Sequence, residues 1–584
     1  MTERRWLLAV MGTLLIVMSV GLFARSFWTP DEPREADIAW RMSGQDLKAV
    51  PSLAGDPVCE KPPLAYWAAA LPVSVFGFSP WTVRLPNLLY ALVTVLAVGI
   101  LARRLAGPVA GLAASAAIGT FLLGYQTLIW LATDAPALAF VSLSLLGLIL
   151  GFYASGTRER LGGYALMHLA LAGAFLSKSA LALLVPALTF ATLIVLERRW
   201  RELLRRELWA GVPLSIGPVL AWMWAVYTGP DGLANLKVFF WNNLVGRLAL
   251  VDAPPQLQYA LAHRNSPGKY LLELPLYLWP WTLMVVAAIW RAWRTRGSAS
   301  SRTTRVALAA SVPSVVVLSF AATARNVYLA PALPGFALLL GWWVSGLAQG
   351  CGRWDVRALR ATSALIIIAT VLGAAALTIL AFDSPSFAQM KPALMIVAAA
   401  GMGLALYMAI DAWMNASRTP LMSAVSLFFG FCCLLSAPCW LGYAQINRWQ
   451  DLSVLGAQIR ADLRDTPLAL LAPDETTRAF VDLYVGTRAS AENPDSGASQ
   501  PDAGTLRRIL HDGRGTAVLV QVDGRSYSPG LLRLNRALGR REPRSVDQEL
   551  AWAESAGLRP SHVYALPNGR RYALFEPALA ELVF

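Results

Sequence analysis

The chain has 584 residues, of which 56% are hydrophobic and only 15% are charged, and its mean hydropathy is +0.49. Because a soluble domain carries roughly 25% charged residues, this composition excludes a soluble enzyme and indicates a polytopic membrane protein. The net charge of +14 lies entirely in residues 1–445, with 33 basic against 19 acidic residues, so it belongs to membrane topology rather than to nucleic-acid binding, which needs a basic patch on a solvated domain.

Apolar stretches long enough to cross a bilayer recur thirteen times along the chain. The first, Trp6 to Ala24, is predicted to be an uncleaved helix with its amino end in the cytoplasm. The others are predicted at about 85–102, 108–126, 135–153, 162–176, 179–196, 209–227, 269–290, 306–322, 327–348, 363–382, 392–410 and 421–443. Alternate counting places every arginine-rich loop in the cytoplasm, as the positive-inside rule requires, and the tail on the outer side.

The first predicted outer loop, residues 25–84, is the longest and is dense in polar groups. It opens with Asp31-Glu32-Pro33-Arg34, in which two acids lie at the membrane boundary with a cation one turn further on. This pattern suits a general base or a metal ligand. It equally suits a helix without catalytic function, with Asp31 as the N-cap and Pro33 in the first turn.

Further polar residues are predicted at the same outer face. Asp134 lies between two apolar spans, where an acid is either part of a functional site or a solvated turn residue. Every lysine of the chain also falls on this side. Two explanations are open: chance, or an outward-facing site for phosphate-bearing lipids. The six lysines are Lys48, Lys61, Lys178, Lys237, Lys269 and Lys391.

The hydrophilic tail, residues 446–584, is predicted to be a small α/β domain. Short apolar runs such as 469–472 and 517–522 alternate there with helical stretches such as 453–464 and 529–539. A segment rich in Gly, Ser, Pro and Asp, 491–504, predicts a loop.

Seven motifs in fixed order resemble the bacterial aminoarabinose-transferase-like branch of the membrane glycosyltransferases with the GT-C fold, which are relatives of the protein O-mannosyltransferases. The motifs are DEPREADIAW, EKPPLAYW, SPWTVRLP, TDAP, FFWNNLVGRL (239–248), HRNSPGKYLLELPLYLWPW (263–281) and ATARNVYLAPALPG (322–335). This resemblance, which spans residues 1–345, implies a mainly α membrane protein with about thirteen transmembrane helices. In that architecture residues 1–445 form the catalytic domain and residues 446–584 a periplasmic α/β domain.

The resemblance also implies a function. We expect a multi-pass protein of the bacterial inner membrane that moves a sugar from an undecaprenyl-phosphate donor to an acceptor at the periplasmic face, with inversion at the sugar. The most concrete version transfers 4-amino-4-deoxy-L-arabinose to lipid A. A hexose or uronic acid donor with a glycan or protein acceptor is the alternative within this class.

A lipid or sugar transporter is the alternative from another class, and it should show repeated halves and interrupted helices. The sequence shows neither a repeat nor an interrupted helix with mid-membrane polar groups, and its acids cluster at one face. The expected partners are the donor, the acceptor and membrane lipids, without nucleic acid, and the chain is expected to act as a monomer.

Site residues follow from the same resemblance. Asp31 is expected to be the leading catalytic carboxylate and Asp134 the second acid of the site, while Lys61 and Arg247 bind the donor phosphate. The residues expected to contact substrate are Glu32, Arg34, Tyr66, Arg325 and Tyr328.

The chemistry agrees with these roles, because displacement at an anomeric carbon needs a base for the acceptor and cations for the leaving phosphate. Phosphate is already a good leaving group, so no general acid is strictly required. We expect no required cofactor. The chain has Asn242-Asn243 where close relatives carry a histidine, which weakens the case for a metal site. Glu60 and His263 remain candidate ligands for a divalent ion.

Overall fold

The computed structural model describes most of the chain. The described residues are 3–44, 48–245, 266–295, 301–321, 325–383, 392–464, 466–487, 489–492, 501–511, 515–522, 546–566 and 569–577. Among the predicted site residues, Arg247 and His263 lie outside these ranges.

Helices dominate the chain up to residue 450. They are α1 (Glu3–Phe23), α2 (Asp31–Arg41), α3 (Leu64–Phe76), α4 (Pro80–Ala106), α5 (Pro108–Thr120), α6 (Leu122–Ile129), α7 (Asp134–Phe152), α8 (Thr157–Lys178), α9 (Leu184–Glu197), α10 (Arg206–Trp209), α11 (Val212–Tyr227), α12 (Gly232–Lys237), α13 (Lys269–Tyr277), α14 (Thr282–Arg294), α15 (Ser301–Ser319), α16 (Leu333–Leu347), α17 (Arg353–Asp383), α18 (Pro392–Asn415), α19 (Pro420–Leu434) and α20 (Ala437–Gln450). Short 3₁₀ segments occupy Ser179–Leu183, Trp200–Leu204 and Asn326–Ala332, and a π-helix occupies Val238–Leu244.

The chain is a multi-pass membrane protein, and each of the thirteen predicted spans overlaps at least one helix of the described residues. Within the described ranges, nine helices are long and apolar enough to cross a bilayer, or up to eleven if each of two bent pairs forms one span. The bent pairs are α5 with α6, where the direction of the chain changes by 67°, and α13 with α14, where it changes by 111°. The count of thirteen therefore stays a prediction.

One of the nine is a 41-residue stretch, Thr157–Glu197. A straight helix of that length would measure about 60 Å, twice the thickness of the hydrocarbon core. It is interrupted at Ser179, whose φ of 67° is left-handed, and continues as a 3₁₀ segment into α9. The two spans predicted at 162–176 and 179–196 therefore correspond to two separate helices.

Close packing of α7 against α8 brings the carboxyl end of α8 to the amino end of α7. Gly147 and Gly163 make this approach possible, because a Cβ atom at either position would overlap backbone atoms of the facing helix. Small residues at helix interfaces are the usual means of close packing in membranes. The ends of these two helices carry Asp134 and Lys178.

Contacts divide the chain into two compact units. The first comprises residues 1–24, 45–51 and 58–442, and the second comprises 25–44, 52–57 and 443–584. The long first loop is thus shared between the two units, and its helix α2 belongs with the tail.

The second unit is built around a five-stranded mixed sheet, which confirms the predicted small α/β domain. Its strands are β3 (Leu468–Leu471), β4 (Ser490–Glu492), β5 (Ala517–Val522), β6 (His562–Ala565) and β7 (Arg571–Phe575), in the order β4-β3-β5-β7-β6. Strands β4, β3 and β5 are parallel, whereas β7 is antiparallel to both β5 and β6. A separate short hairpin pairs β1 (Ser52–Leu53) with β2 (Asp56–Pro57).

Helices cover both faces of this sheet. They are α21 (Leu452–Leu463), α22 (Glu475–Phe480), α23 (Ala503–Leu510) and α24 (Val546–Glu554), and a π-helix, Val481–Val485, continues α22. Alternate residues of β3 face opposite cores: Leu468 and Leu470 pack with α21, whereas Ala469 and Leu471 pack with α23. Of the predicted loop at 491–504, the two ends belong to β4 and α23, and residues 493–500 lie outside the described residues.

Candidate functional site

A buried ion pair joins α7 to α8 in the first unit. Lys178 Nζ donates to Asp134 Oδ1, and each side chain is only 11% exposed. Asp134 is the first residue of α7 and Lys178 the last residue of α8, so each charge has the sign that the adjacent helix terminus favours. Charged groups at the end of membrane helices are costly unless paired, which makes this pair a candidate functional site.

Tyr328 completes this cluster. Its ring lies 4.4 Å from Lys178 Nζ, close enough for a cation–π interaction. Tyr328 lies in the 3₁₀ segment Asn326–Ala332, which follows the exposed Arg325, and the Tyr270 hydroxyl donates to the carbonyl oxygen of Arg325 at 2.6 Å. The structure thus brings together Asp134 and Tyr328, and adds Lys178 between them.

A second set of predicted site residues lies in the first unit, around Lys61 in the sequence. Lys61 and Glu60 are partly exposed and precede α3, on which Tyr66 is buried with 3% exposure. The side-chain amide of Asn243, in the π-helix, donates to the backbone carbonyl of Glu60. Asn243 therefore anchors the backbone next to Lys61, a role that the sequence alone did not reveal.

The predicted metal site has no geometry to test it. His263 lies outside the described residues, as does Arg247, the predicted second partner of the donor phosphate. Within the described part of the chain, no group of three or more His, Cys, Asp or Glu side chains is placed to hold a metal ion.

Asp31 belongs to the second unit, where it is the first residue of α2 and partly exposed. The N-cap of α2 is Pro30, and no side chain caps it. The alternative prediction that Asp31 is the N-cap is therefore wrong. The helix that this alternative predicted is present, with Asp31 as its first residue. A carboxylate in the first turn of a helix is stabilised by the helix macrodipole.

Glu32 is fully buried, and both of its carboxylate oxygens are engaged. Arg25 Nη2 donates to Oε1 at 2.9 Å, and the backbone N–H of Trp28 donates to Oε2 at 2.9 Å. Neither side chain of the Arg25–Glu32 pair is exposed. The structure gives Glu32 a structural role, and the predicted substrate contact would require this ion pair to open.

Arg34 also forms an ion pair within the second unit. Its Nη1 lies 3.1 Å from Glu475 Oε2 on α22, and its side chain is 8% exposed. Arg34 thus links α2 to the tail, so the substrate contact predicted for it would compete with this ion pair.

An acidic pair lies further along α2. Asp37 is fully buried, hydrogen-bonds to Asp482 and accepts the backbone N–H of Ala54 at 2.7 Å. Burial above all, and then the hydrogen bond with Asp482, raise the pKa of Asp37 to about 8. Arg41 forms ion pairs with both acids.

The sequence did not assign Lys178, Asn243 or Asp37 to a site. The confinement of lysines to the predicted outer face was a signal for Lys178. Nothing in the sequence indicated Asp37, because its partner lies 445 residues away along the chain.

The chain is similar in sequence to a known family and to curated proteins. Residues 60–224 match the model of the dolichyl-phosphate-mannose-protein mannosyltransferase family. The undecaprenyl phosphate-α-4-amino-4-deoxy-L-arabinose arabinosyl transferase of Pseudomonas paraeruginosa is 30% identical over 390 residues, which cover 64% of this chain and 66% of that protein, just under two thirds of its length. The enzyme of the same name from Edwardsiella ictaluri is 27% identical over 373 residues, covering 63% of this chain and 64% of that protein.

Solved structures confirm the fold over nearly the whole chain. A crystal structure of ArnT from Cupriavidus metallidurans bound to undecaprenyl phosphate has a TM-score of 0.71 at 18% identity, covering 99% of this chain and 98% of that one. The apo state of the same protein has a TM-score of 0.70 at 19% identity, with the same coverage. The predicted resemblance and fold class are therefore confirmed.

Proposed function

We propose that this chain, an aminoarabinose-transferase-like membrane protein of GT-C fold, is a glycosyltransferase that uses an undecaprenyl-phosphate sugar donor. The observation that carries the proposal is the buried pair of Lys178 and Asp134 beside Tyr328, at the ends of two membrane helices. Two further facts support it: the relatives bear the name undecaprenyl phosphate-α-4-amino-4-deoxy-L-arabinose arabinosyl transferase, and the structurally similar ArnT was crystallised with undecaprenyl phosphate.

The proposed reaction is a single displacement at the anomeric carbon of the sugar. The acceptor oxygen forms a bond to this carbon while the bond to the lipid phosphate breaks, and the configuration inverts. Asp31 takes the proton of the acceptor, and Lys61 and Arg247 neutralise the charge that develops on the leaving phosphate. Lys178 fixes the carboxylate of Asp134 at the membrane boundary.

We extend the proposal to 4-amino-4-deoxy-L-arabinose as the sugar and to lipid A as the acceptor, at the periplasmic face of the inner membrane. The names of the relatives support this sugar. We further propose that the chain acts as a monomer. A reporter fused after Phe584 tests the orientation, because a cytoplasmic tail would contradict both the odd number of spans and the outward site.

The transfer reaction can be tested with purified protein, a panel of undecaprenyl-phosphate sugars, lipid A and mass spectrometry of the products. We expect Asp31→Asn to lower the rate by on the order of 100-fold or more, because general base catalysis contributes about that factor. Asp231→Asn is the matched control, since Asp231 is an exposed acid on a predicted outer loop.

Two results would contradict the proposal. Full activity of folded Asp31→Asn would remove Asp31 from its catalytic role. Failure of the folded wild-type protein to transfer any sugar of the panel would favour the transporter alternative. Transfer of a hexose or uronic acid instead would keep the chemistry and replace the proposed donor.

A further inference from the structure

An irregular segment, residues 25–30, leads into helix α2 and its first residue Asp31. Main-chain N–H groups in such a segment need partners outside regular secondary structure. Here the partners are side chains. The N–H of Trp28 is bound by Glu32, as described above, and those of Ser26 and Thr29 are bound by two residues near the end of α20.

Asn447 makes the first of these attachments. Its side-chain oxygen accepts hydrogen bonds from the Ser26 N–H at 2.9 Å, the Ser26 hydroxyl at 3.2 Å and the indole N–H of Trp28 at 2.9 Å. The Trp28 ring also lies edge-on to Tyr443, with centroids 5.5 Å apart. One amide oxygen of α20 thus fixes both the backbone and the largest side chain of the segment.

Gln450 makes the second attachment, one helical turn further along the same face of α20. Its side-chain oxygen accepts from the Thr29 hydroxyl at 2.6 Å and from the Thr29 N–H at 3.2 Å. The hydroxyl of Thr476, on α22, donates to the carbonyl oxygen of Pro30 at 2.8 Å. Both residues that precede Asp31 are therefore held by side chains of the tail.

We propose that Asn447 and Gln450 are positioning residues that fix Asp31 for catalysis, so that the end of α20 acts as a clamp on the segment. This inference rests on the proposed function, since it requires Asp31 to act on the acceptor. It makes the tail part of the catalytic apparatus. The physical basis is that a displacement of about 1 Å in a catalytic group costs on the order of 100-fold in rate.

Gln450→Leu tests the clamp, because leucine has a similar volume and accepts no hydrogen bond. We expect a 10- to 100-fold lower kcat with an unchanged KM for the donor, because Gln450 fixes a catalytic group without binding substrate. Gln445→Leu is the matched control on the same helix. Gln445 is buried, and its side-chain oxygen accepts no hydrogen bond from the described residues, so this variant should keep the wild-type rate.

Thr29 provides a rescue test from the other side of the clamp. Thr29→Val removes the hydroxyl at almost constant shape and should lower kcat, whereas Thr29→Ser keeps the hydroxyl and should restore it. A purely structural effect would instead lower the yield of folded protein, and Thr29→Val and Thr29→Ser would not differ in kcat.

A double-mutant cycle separates the two roles most sharply. If Gln450 acts through Asp31, Gln450→Leu should not lower the residual rate of Asp31→Asn any further. If the rate of the double variant is lowered by the product of the two single-variant factors, the positioning role is overturned. Amide hydrogen exchange gives a readout that needs no activity: the Ser26 and Thr29 amides should exchange at least 10-fold faster in a variant carrying both Asn447→Leu and Gln450→Leu.

The outcomes distinguish this inference from the proposed function. If Asp31→Asn is inactive while Gln450→Leu and Asn447→Leu keep the wild-type kcat, the clamp is refuted and the proposed function stands. If Asp31→Asn is fully active, the role of Asp31 fails and the positioning role fails with it. Unchanged amide exchange in the clamp variants would refute the attachment itself.

Discussion

Asp37→Asn should remove a pH dependence from the attachment of α2 to the tail. Burial and the hydrogen bond with Asp482 raise the pKa of Asp37 from its ordinary 3.8 to about 8 in the folded protein. Between these two pH values the folded state keeps a proton that the unfolded state has lost. The contribution of Asp37 to the free energy of unfolding therefore falls as pH rises through this window and is constant outside it.

The slope sets the size of the effect. One proton of difference changes the free energy of unfolding by about 1.4 kcal/mol per pH unit, so a rise from pH 5 to pH 7 should cost the wild-type protein about 3 kcal/mol at this site. Asparagine is neutral at both pH values, and its amide can still bond to Asp482 while its oxygen accepts the Ala54 N–H. The variant should lack this loss.

Hydrogen exchange of the α2 amides measures the difference, because intrinsic exchange rates cancel when two proteins are compared at the same pH. We expect the protection of Asp37→Asn relative to wild type to grow on the order of 100-fold from pH 5 to pH 7. Asp56→Asn is the control, since Asp56 belongs to the same unit but its side chain is 65% exposed. A ratio that stays constant over this range would show that Arg41 keeps Asp37 ionised, which would refute the reasoning.

Three further predictions concern packing and ion pairs. Asp134→Asn should lower the stability of the protein in detergent by about 3 to 5 kcal/mol, because it leaves the buried Lys178 without its carboxylate, and a second change, Lys178→Met, should restore the melting temperature. Gly163→Ala should cost about 1 to 3 kcal/mol by forcing α7 from α8, whereas Gly162→Ala, which meets no neighbouring atom, should be neutral or slightly stabilising in the same thermal assay. Arg478→Gln should change the unfolding midpoint of the second unit by less than the equivalent of about 1 kcal/mol, because it breaks an ion pair with a largely exposed acid.

The membrane helices could be predicted because their signals are local. Runs of about 20 apolar residues and flanking arginines depend only on neighbouring positions in the chain. The bends between α5 and α6 and between α13 and α14, each inside a single predicted span, carry no comparable signal. This is why the sequence locates the helices without giving the number of crossings.

The candidate site was predicted only in part, for a physical reason. Asp31 and Asp134 were singled out because acids at a membrane boundary are costly, and therefore conspicuous, in any sequence, and their catalytic roles stay predictions. Their neighbours depend on contacts between distant segments. Lys178 meets Asp134 across 44 residues, and Asn447 meets Ser26 across 421, so periodicity and composition could not reveal either.

The clamp on the segment before Asp31 uses neutral amides, and this choice has an electrostatic reason. A carboxylate at position 450 would accept the same two hydrogen bonds from Thr29, but it would add a third negative charge near Asp31 and Glu32. Gln450→Glu should therefore keep the slow exchange of the Thr29 amide while changing the transfer rate through charge. Such an effect should shrink as the ionic strength rises from 0.01 to about 1 M, because the screening length falls from about 30 to about 3 Å.

The defect of Gln450→Leu should be insensitive to salt, since it arises from lost geometry. Fast amide exchange in Gln450→Glu, together with a defect that salt does not change, would show that the carboxylate fails to replace the amide and that the argument from charge is wrong.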